Sequence, residues 1–310
     1  LIAPLPLQVH LGHPERSIEI FLTPHTSSAM AMFGFIYLWY LMVVLLMEIW
    51  LDYRREIVEW SKTEPFWPKR MFYKLLTFGV TNVSPRSLEI DDKLGRAITV
   101  IGLPSAVLLH GYVGFIFGSI KANPWWSTPL MPVIFLFSAM ASGIAGVLLI
   151  YMFLCWARDV DIDMPCLDTI GKFFLTAIVV AFSLEMLDFT QRLYEAEESI
   201  TILASMLSSR LVLSLIVLQV SLGTIVPLMA LAAVAPTVKK EGLVKTPEEL
   251  RRLIYFMVGV LIQIGIFSTR WNVVIGGQLF SKSLRGLTVY KVELLGLDGI
   301  LMATAILLLP

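Results

Sequence analysis

Charged residues are scarce in this sequence. Asp, Glu, Lys and Arg make up only 15% of its 310 residues, and 57% are hydrophobic; about a quarter charged is usual for soluble proteins. So much apolar side chain on a water-facing surface would form aggregating patches, which excludes the soluble globular class. Because the mean hydropathy is +0.77 and the scarcity runs along the whole chain, we predict an all-α fold, a polytopic transmembrane helix bundle.

Net charge is also absent, since 24 basic residues balance 24 acidic ones. A nucleic-acid-binding protein usually carries a strongly basic patch or an overall positive charge. We therefore expect no nucleic-acid partner, and we expect the lipid bilayer to be the main surroundings of this chain.

Metal ligands are few. The two cysteines, Cys155 and Cys166, have ten residues between them, whereas iron–sulfur clusters and cysteine zinc sites need clustered thiolates. Of the four histidines only His110 falls within an apolar run, and a membrane b-type haem usually needs two axial histidines. The sequence thus predicts no haem, no iron–sulfur cluster and no metal site in this chain.

Seven stretches reach or approach the roughly 20 apolar residues that a spanning helix needs. They are 27–50, 96–120, 129–157, 167–188, 209–235, 251–270 and 293–310. With 1–9 as the stub of an earlier span, we expect about seven to eight spans in a single integral membrane domain, 1–310. The chain starts at Leu1 and ends in an apolar run, so we expect it to be incomplete at both ends.

The connections differ in their content of Lys and Arg. Segment 51–95 holds eight of these residues and segment 236–252 holds five, whereas 1–26, 119–128 and 189–208 hold one each. The positive-inside rule predicts that 51–95 is a long cytoplasmic loop, with 157–166 and 236–252 on the same side. The remaining connections, including 271–292 with its three basic residues, are then expected to face outward.

Ionisable residues inside a span are costly, so each is a candidate for function. His110 lies about two turns from the outer end of its helix, where it either relays a proton or is a neutral ring bonded to a neighbouring helix. Glu185, Asp188 and Arg192 are spaced to share one helix face. We expect Asp188 to pair with Arg192, and the deeper Glu185 to be the better candidate for proton transfer.

Two further charges lie in later spans. Arg270 is expected to end its helix, where it either snorkels to the interface, pairs with Glu185 or holds an oxygen of a bound headgroup. Asp298 is expected about one turn into the final span, as an acid of a proton path together with Glu185 and Asp188.

Three motifs resemble those of one family. "HLGHPERSIEIFLTPHTSSAMAMFGFIYLWY" (10–40), "GLPSAVLLHGYVGFIFG" (102–118) followed by "NPWWSTPLMPVIFLFSAMASGIAG" (123–146), and "STRWNVVIGGQ" (268–278) are similar, in this order, to the NrfD/PsrC family of polysulfide reductase membrane subunits. The resemblance covers most of the chain. It is closest to the ten-helix branch, which includes the membrane subunit of hydrogenase-2 and the DsrP subunit of a sulfite-reduction-associated complex, and HPER and NPWW favour the DsrP type.

The resemblance implies a quinone-binding subunit of a respiratory oxidoreductase complex in the cell inner membrane. Such subunits bind menaquinol or another quinone near the outer face and exchange electrons with a ferredoxin-like iron–sulfur subunit on the periplasmic side. They assemble with further membrane and cytochrome subunits, and some are proposed to translocate protons. Carried over to this chain, the resemblance implies catalytic roles for His110, Glu185 and Arg270. It implies that the quinone contacts His110, Trp125, Trp126, Asn272 and Gln278.

Two other functions fit the residues. Polar groups at mid-membrane depth and Gly-rich helices also suit a secondary transporter, although no inverted repeat or matched pair of broken helices is visible. A membrane anchor without chemistry is the third possibility, but an anchor does not require buried ionisable groups.

Overall fold

The computed structural model describes residues 13–23, 25–194, 200–234, 247–280, 286–289, 291, 293–296 and 299–308. Within these ranges it has nine helices of nine or more residues and no strands. We label them α1 (Ala29–Thr63), α2 (Trp67–Leu76), α3 (Pro85–Gly118), α4 (Met131–Ala157), α5 (Met164–Tyr194), α6 (Ile200–Ser209), α7 (Val212–Val234), α8 (Glu248–Gln278) and α9 (Ile300–Leu308).

Six of these helices are long and apolar enough to cross a membrane: α1, α3, α4, α5, α7 and α8. They match six of the seven predicted spans, so the polytopic helical bundle is confirmed. The seventh predicted span, 293–310, begins later than expected. Residues 293–296 are not helical, Gly296 has a positive φ of 115°, and α9 starts at Ile300 with nine described residues.

The predicted long loop at 51–95 is mostly helical. Helix α1 continues past the apolar run to Thr63 because Leu51, Arg54, Ile57 and Val58 recur at helical spacing and form a buried face. Arg54 is 1% exposed, and its Nε donates to Asp91 Oδ2 at 2.8 Å. Burial on one face, rather than hydrophobicity all round, keeps this part of the chain helical after the expected span has ended.

The described residues divide into two compact units, one comprising those up to Tyr112 and the other those from Val113 onward. The first contains α1, α2 and most of α3. In the second, α8 packs on α7, α4 and α5. The closest approach is between α7 and α8, where Gly223 and Gly265 face each other so closely that a Cβ on either would overlap the other's backbone.

The second unit has an ion pair at one end of its helices. Arg251, in the first turn of α8, pairs with Asp168 of α5, and the Tyr255 hydroxyl donates to Asp168 Oδ1 at 2.8 Å. Gly171 leaves room for the Tyr255 ring. This cluster joins α5 to α8 at the end opposite to the polar residues described next.

Candidate functional site

The Asn123–Trp126 turn is fastened to the C-terminal end of α8. Asn123 Nδ2 donates to Gly277 O at 2.8 Å, Trp125 Nε1 to Asn272 O at 2.9 Å and Trp126 Nε1 to Val273 O at 2.6 Å. The last carbonyls of a helix have no partner within the helix, so Asn123 satisfies one of them. Gly277 permits this packing because a Cβ there would clash with the Trp126 indole.

Helix α8 is longer than predicted, which changes the setting of Arg270. The expected end at 270 is wrong, because small residues of "STRWNVVIGGQ" pack beneath the two indoles and the helix runs on to Gln278. Arg270 therefore lies eight residues inside the helix, about 12 Å from its end. Its guanidinium bonds to α4, so the structure offers no support for the snorkelling alternative.

The Arg270 side chain packs on α4. Its Nη2 donates to Ser138 Oγ at 2.7 Å and to Phe135 O at 3.2 Å, and its guanidinium carbon lies 3.8 Å from the centroid of the Phe135 ring. A cation over an aromatic face is stabilised by the negative potential of that face. These contacts hold the guanidinium at a fixed depth.

A line of side-chain hydrogen bonds connects α5, α7 and α8. Asn272 Nδ2 donates to Gln219 Oε1 at 2.8 Å, and Gln219 Nε2 donates to Glu185 Oε2 at 3.2 Å. Gln219 lies in the π-helical first part of α7, Val212–Ile225, and such wide turns are rare and frequent at functional sites. Glu185 thus accepts from a neutral amide, and Asn272 orients that amide by donating to its oxygen.

Four of these residues lie at one level of the second unit. Ser138, Glu185, Gln219 and Arg270 are seven to nine residues from the same end of α4, α5, α7 and α8, respectively. That distance corresponds to roughly 10–14 Å along the helices. The folding of four helices thus gathers a carboxylate, a guanidinium, an amide and a hydroxyl into one polar layer within otherwise apolar spans.

No ion pair within 4 Å joins Glu185 and Arg270 among the described residues. The predicted alternative of a direct pair is therefore wrong: Arg270 donates to Ser138 and Glu185 accepts from Gln219. Each partner is neutral, so both charges remain able to interact with a further group.

Two buried polar atoms of this layer have no hydrogen-bond partner within the part of the chain that the structure describes. They are Arg270 Nη1, a donor, and Asn272 Oδ1, an acceptor. A buried polar atom without a partner costs about 1–3 kcal/mol, and in native proteins it often indicates a functional group or a bound molecule. The two residues are two positions apart on α8, so they point to different sides of it.

Asp188 lies one turn closer to the helix end than Glu185. It is 8% exposed and accepts a hydrogen bond from Thr128 Oγ1, which also accepts one from Leu130 N at 3.2 Å. The side chain of the predicted partner, Arg192, is outside the described residues. Asp188 thus ties α5 to the segment that follows the tryptophan turn.

The other predicted site residues are placed differently. His110 lies in α3 within the first unit and is exposed, not buried. Gly102, Ser105 and Leu109 form the buried stripe of that helix, and the next residue is rotated from it by about 100°. Gln278 is exposed and its backbone carbonyl accepts from Thr288 Oγ1 at 3.0 Å. Asp298 lies outside the described residues.

Sequence reasoning missed part of this layer. A lone amide such as Gln219 predicts no more than a bond between helices, and Ser138 and Thr128 carry no signal for a site. The signal for Gln219 was a lone amide in the middle of the apolar run 212–234. Ser138 had no such signal, because a serine in a membrane helix usually bonds its own backbone; Ser138 also donates to Phe135 O at 3.0 Å.

Comparison with known proteins finds relatives among the subunits of reductases. The chain is 28% identical over 275 residues to the C subunit of selenate reductase from Mesobacillus selenatarsenatis, covering 86% of this chain and 60% of the relative. It is 25% identical over 203 residues to a putative dimethyl sulfoxide reductase membrane subunit of Halobacterium salinarum, covering 63% and 41% of the two chains. A 62-residue stretch, 20% of each chain, is 37% identical to protein NrfD of Escherichia coli.

The chain thus spans about 60% or less of the length of these curated relatives. The resemblance to the DsrP type is not tested by them and stays a prediction. A family model described as polysulphide reductase, NrfD, matches residues 1–282, which is most of the sequence. This multi-pass membrane protein therefore belongs to the polysulphide reductase NrfD family.

Proposed function

We propose that this chain is a quinone-binding membrane subunit of a redox complex, with the reaction site in the polar layer of Glu185 and Arg270. The observation that carries the proposal is the buried Nη1 of Arg270, which has no hydrogen-bond partner in the described ranges, at the same depth as a carboxylate that accepts from a neutral amide. The family match and the relatives named as reductase subunits support it.

The residues fit a quinone headgroup. Such a headgroup is an apolar ring with two oxygens, which accept hydrogen bonds when oxidised and carry exchangeable protons when reduced. Arg270 Nη1 is a donor for one oxygen, and the Phe135 ring beside the guanidinium offers an apolar surface. A bound quinol would supply two electrons and two protons to the complex.

Glu185 is the group of this layer best suited to take up or return a proton. A carboxylate at membrane depth is costly, and Gln219 stabilises it through a single hydrogen bond. Glu185 lies at the same depth as Arg270, which would hold the headgroup. Asn272 and Gln219 act as positioning residues, because they orient the carboxylate without needing to touch the ligand.

The family and the basic loops support a wider context for this site. We infer that the end of the second unit bearing Trp125 and Trp126 faces outward, where a ferredoxin-like iron–sulfur subunit would exchange electrons with menaquinol held in the polar layer. We also infer additional membrane and cytochrome subunits and an inner-membrane location. His110, Gln278 and Asp298 keep their proposed roles in quinone contact or proton movement, with Asp188 as the acid nearest the outer end of α5.

The test is to measure quinol oxidation and quinone reduction by the assembled complex carrying Glu185→Gln or Arg270→Gln. General acid–base groups typically contribute about 10²- to 10⁴-fold to a rate, so E185Q is expected to lower kcat by at least about a hundredfold. R270Q is expected to raise the dissociation constant of a quinone-analogue inhibitor, because the donor to the ring oxygen is lost.

Two matched controls accompany these variants. Arg252→Gln removes an exposed cation from the same helix as Arg270, and Glu89→Gln removes an exposed acid that pairs with Lys93; both should leave turnover and inhibitor affinity unchanged. Wild-type turnover in E185Q and R270Q would reject the proposal. Unchanged electron transfer would then favour a bare anchor, and substrate uptake by the chain in liposomes would favour a transporter.

A further inference from the structure

A basic cavity opens at the end of α1, in the first unit. It has a volume of about 500 Å³, and its lining includes Lys62, Arg70 and Lys74 but no acidic residue. None of the three cations forms an ion pair with another residue in the described ranges. Three uncompensated positive charges around one cavity make it attractive to an anion.

The position of the cavity follows from the packing of α2. Helix α1 is one of the six candidate spans and ends at Thr63, and α2 begins four residues later. Trp50 Nε1 donates to Leu76 O at 2.8 Å, and the Trp60 and Tyr73 rings are 5.3 Å apart. These contacts fold α2 back along α1, so that α2 runs from the cavity toward Trp50, where the predicted span ends.

Helix α2 has the composition of a helix that lies in the membrane interface. It carries three basic residues and no acidic ones, "WPKRMFYKLL". Its apolar side chains are nevertheless open: Trp67 is 65% exposed, Met71 59% and Leu75 71%. Apolar residues and cations that are exposed together on a short helix are typical of insertion at the boundary between headgroups and acyl chains.

The wall of the cavity combines cations with apolar side chains. Trp67, Arg70, Met71 and Lys74 recur at spacings of three and four and so share one face of α2. The hydroxyls of Ser61 and Thr81 complete the wall. A ligand that fits must therefore offer an anionic group to the cations and an apolar part to Trp67 and Met71.

We propose that this cavity binds the phosphate headgroup of an anionic phospholipid, such as phosphatidylglycerol or cardiolipin. Arg70, Lys62 and Lys74 neutralise the phosphate, the Thr81 hydroxyl donates to one of its oxygens, and Trp67 and Met71 lie against the start of the acyl chains. Clusters of Lys and Arg next to a span are a usual means of recognising anionic lipid. The cavity shares no residue with the polar layer, so this proposal stands independently of the proposed function.

The test uses the purified full chain in its complex and native mass spectrometry, which counts bound lipids as phosphatidylglycerol or phosphatidylcholine is added. Wild type should retain phosphatidylglycerol in preference to phosphatidylcholine. Arg70→Gln should weaken this binding about fivefold, and the triple variant K62Q/R70Q/K74Q about a hundredfold, given the usual contribution of each cation near an anionic surface.

Lys69→Gln is the matched control. It removes the neighbouring charge of the same helix, but Lys69 is not part of the cavity wall, so retention should equal that of wild type. Equal losses in R70Q and K69Q would overturn the site, because only the overall charge would then matter. The comparison of these two single variants decides the question even if the triple variant does not fold.

Three further outcomes reject the proposal. Equal retention of phosphatidylcholine would show that charge is not recognised. Competition by inorganic phosphate as effective as that by phosphatidylglycerol would show a free-anion site instead. If neither lipid is retained and an acidic segment of a partner protein lies over Lys62 and Lys74 in the complex, the cavity is a protein interface.

Discussion

At the scale of single residues, the proposed chemistry rests on polar groups that have few or no hydrogen-bond partners in the described part of the chain. Arg270 Nη2 donates to Ser138 Oγ and Phe135 O, whereas Nη1 has no partner in the described ranges. Among the described residues, Glu185 accepts one hydrogen bond, of 3.2 Å, from a neutral amide. The proposed proton exchange rests on this carboxylate having no cation within 4 Å in the described part of the chain.

A first prediction concerns Asn272, which is 1% exposed. Asn272→Leu removes the donor to Gln219 and leaves the buried amide oxygen of Gln219 unpaired. Because Gln219 is the donor to Glu185, the carboxylate then loses its fixed orientation. We expect kcat of quinol oxidation to fall about tenfold, as for a loss of about 1.4 kcal/mol, and the pH profile to shift.

The control is Gln263→Leu, on the same helix. Gln263 Nε2 donates to Ser142 O at 2.8 Å, so this variant also loses a bond between helices, but one that does not lead to Glu185. Stability should fall in both variants, whereas the pH profile should change only in N272L. The positioning role would be wrong if the two variants had the same profile.

At the scale of elements, glycines set how closely the helices approach. Gly223 and Gly265 allow backbone contact between α7 and α8, which brings Gln219 within reach of Asn272. Gly277 lets the Trp126 indole lie on the last turn of α8. In a membrane, lipid tails are as apolar as the side chains, so the hydrophobic effect does not drive helices together. Close packing at small residues is therefore a main source of helix association.

A second prediction follows for Gly277→Ala. The added methyl would overlap the Trp126 ring, so the tryptophan turn must move away from α8. We expect lower thermal stability by about 1–3 kcal/mol, as for other overpacked sites, measured on the solubilised chain, and Trp126 fluorescence that shifts toward that of a more solvated indole.

Gly143→Ala is the matched control, because nothing lies within 4 Å of the Cβ position at Gly143. Alanine is favoured over glycine within a helix by about 1 kcal/mol, so this variant should be as stable as wild type or more stable. Destabilisation of both variants to the same degree would contradict the packing explanation.

At the scale of the whole molecule, the six candidate spans and the basic connections predict an orientation. Segment 51–95 and the connection at 157–166 are predicted to be cytoplasmic, and the 119–128 turn to face outward. In the second unit the turn contacts the C-terminal end of α8, which is also the end closer to the polar layer. The Asp168–Arg251 pair lies at the N-terminal end of α8.

A third prediction tests this orientation with a membrane-impermeant maleimide added to intact cells. Cys166 is exposed and Cys155 is buried, so native protein should not be labelled from outside if 157–166 is cytoplasmic. Lys121→Cys, at an exposed position, should be labelled. Permeabilised cells should label Cys166, and labelling of Cys166 in intact cells would reverse the orientation.

The sequence by itself determined the helical membrane class, six of the spans and the family, because length, hydropathy and motif order survive any packing arrangement. It also singled out Glu185 and Arg270, since ionisable groups in apolar runs are costly wherever they face. It did not determine the end of α8 or the exposure of His110, which depend on neighbouring helices. Nor did it reveal that Gln219, Asn272 and Ser138 share a layer with them. Only the tertiary structure decided these points, because contacts between residues far apart in sequence depend on helix direction, close glycine packing and the depth at which each helix begins.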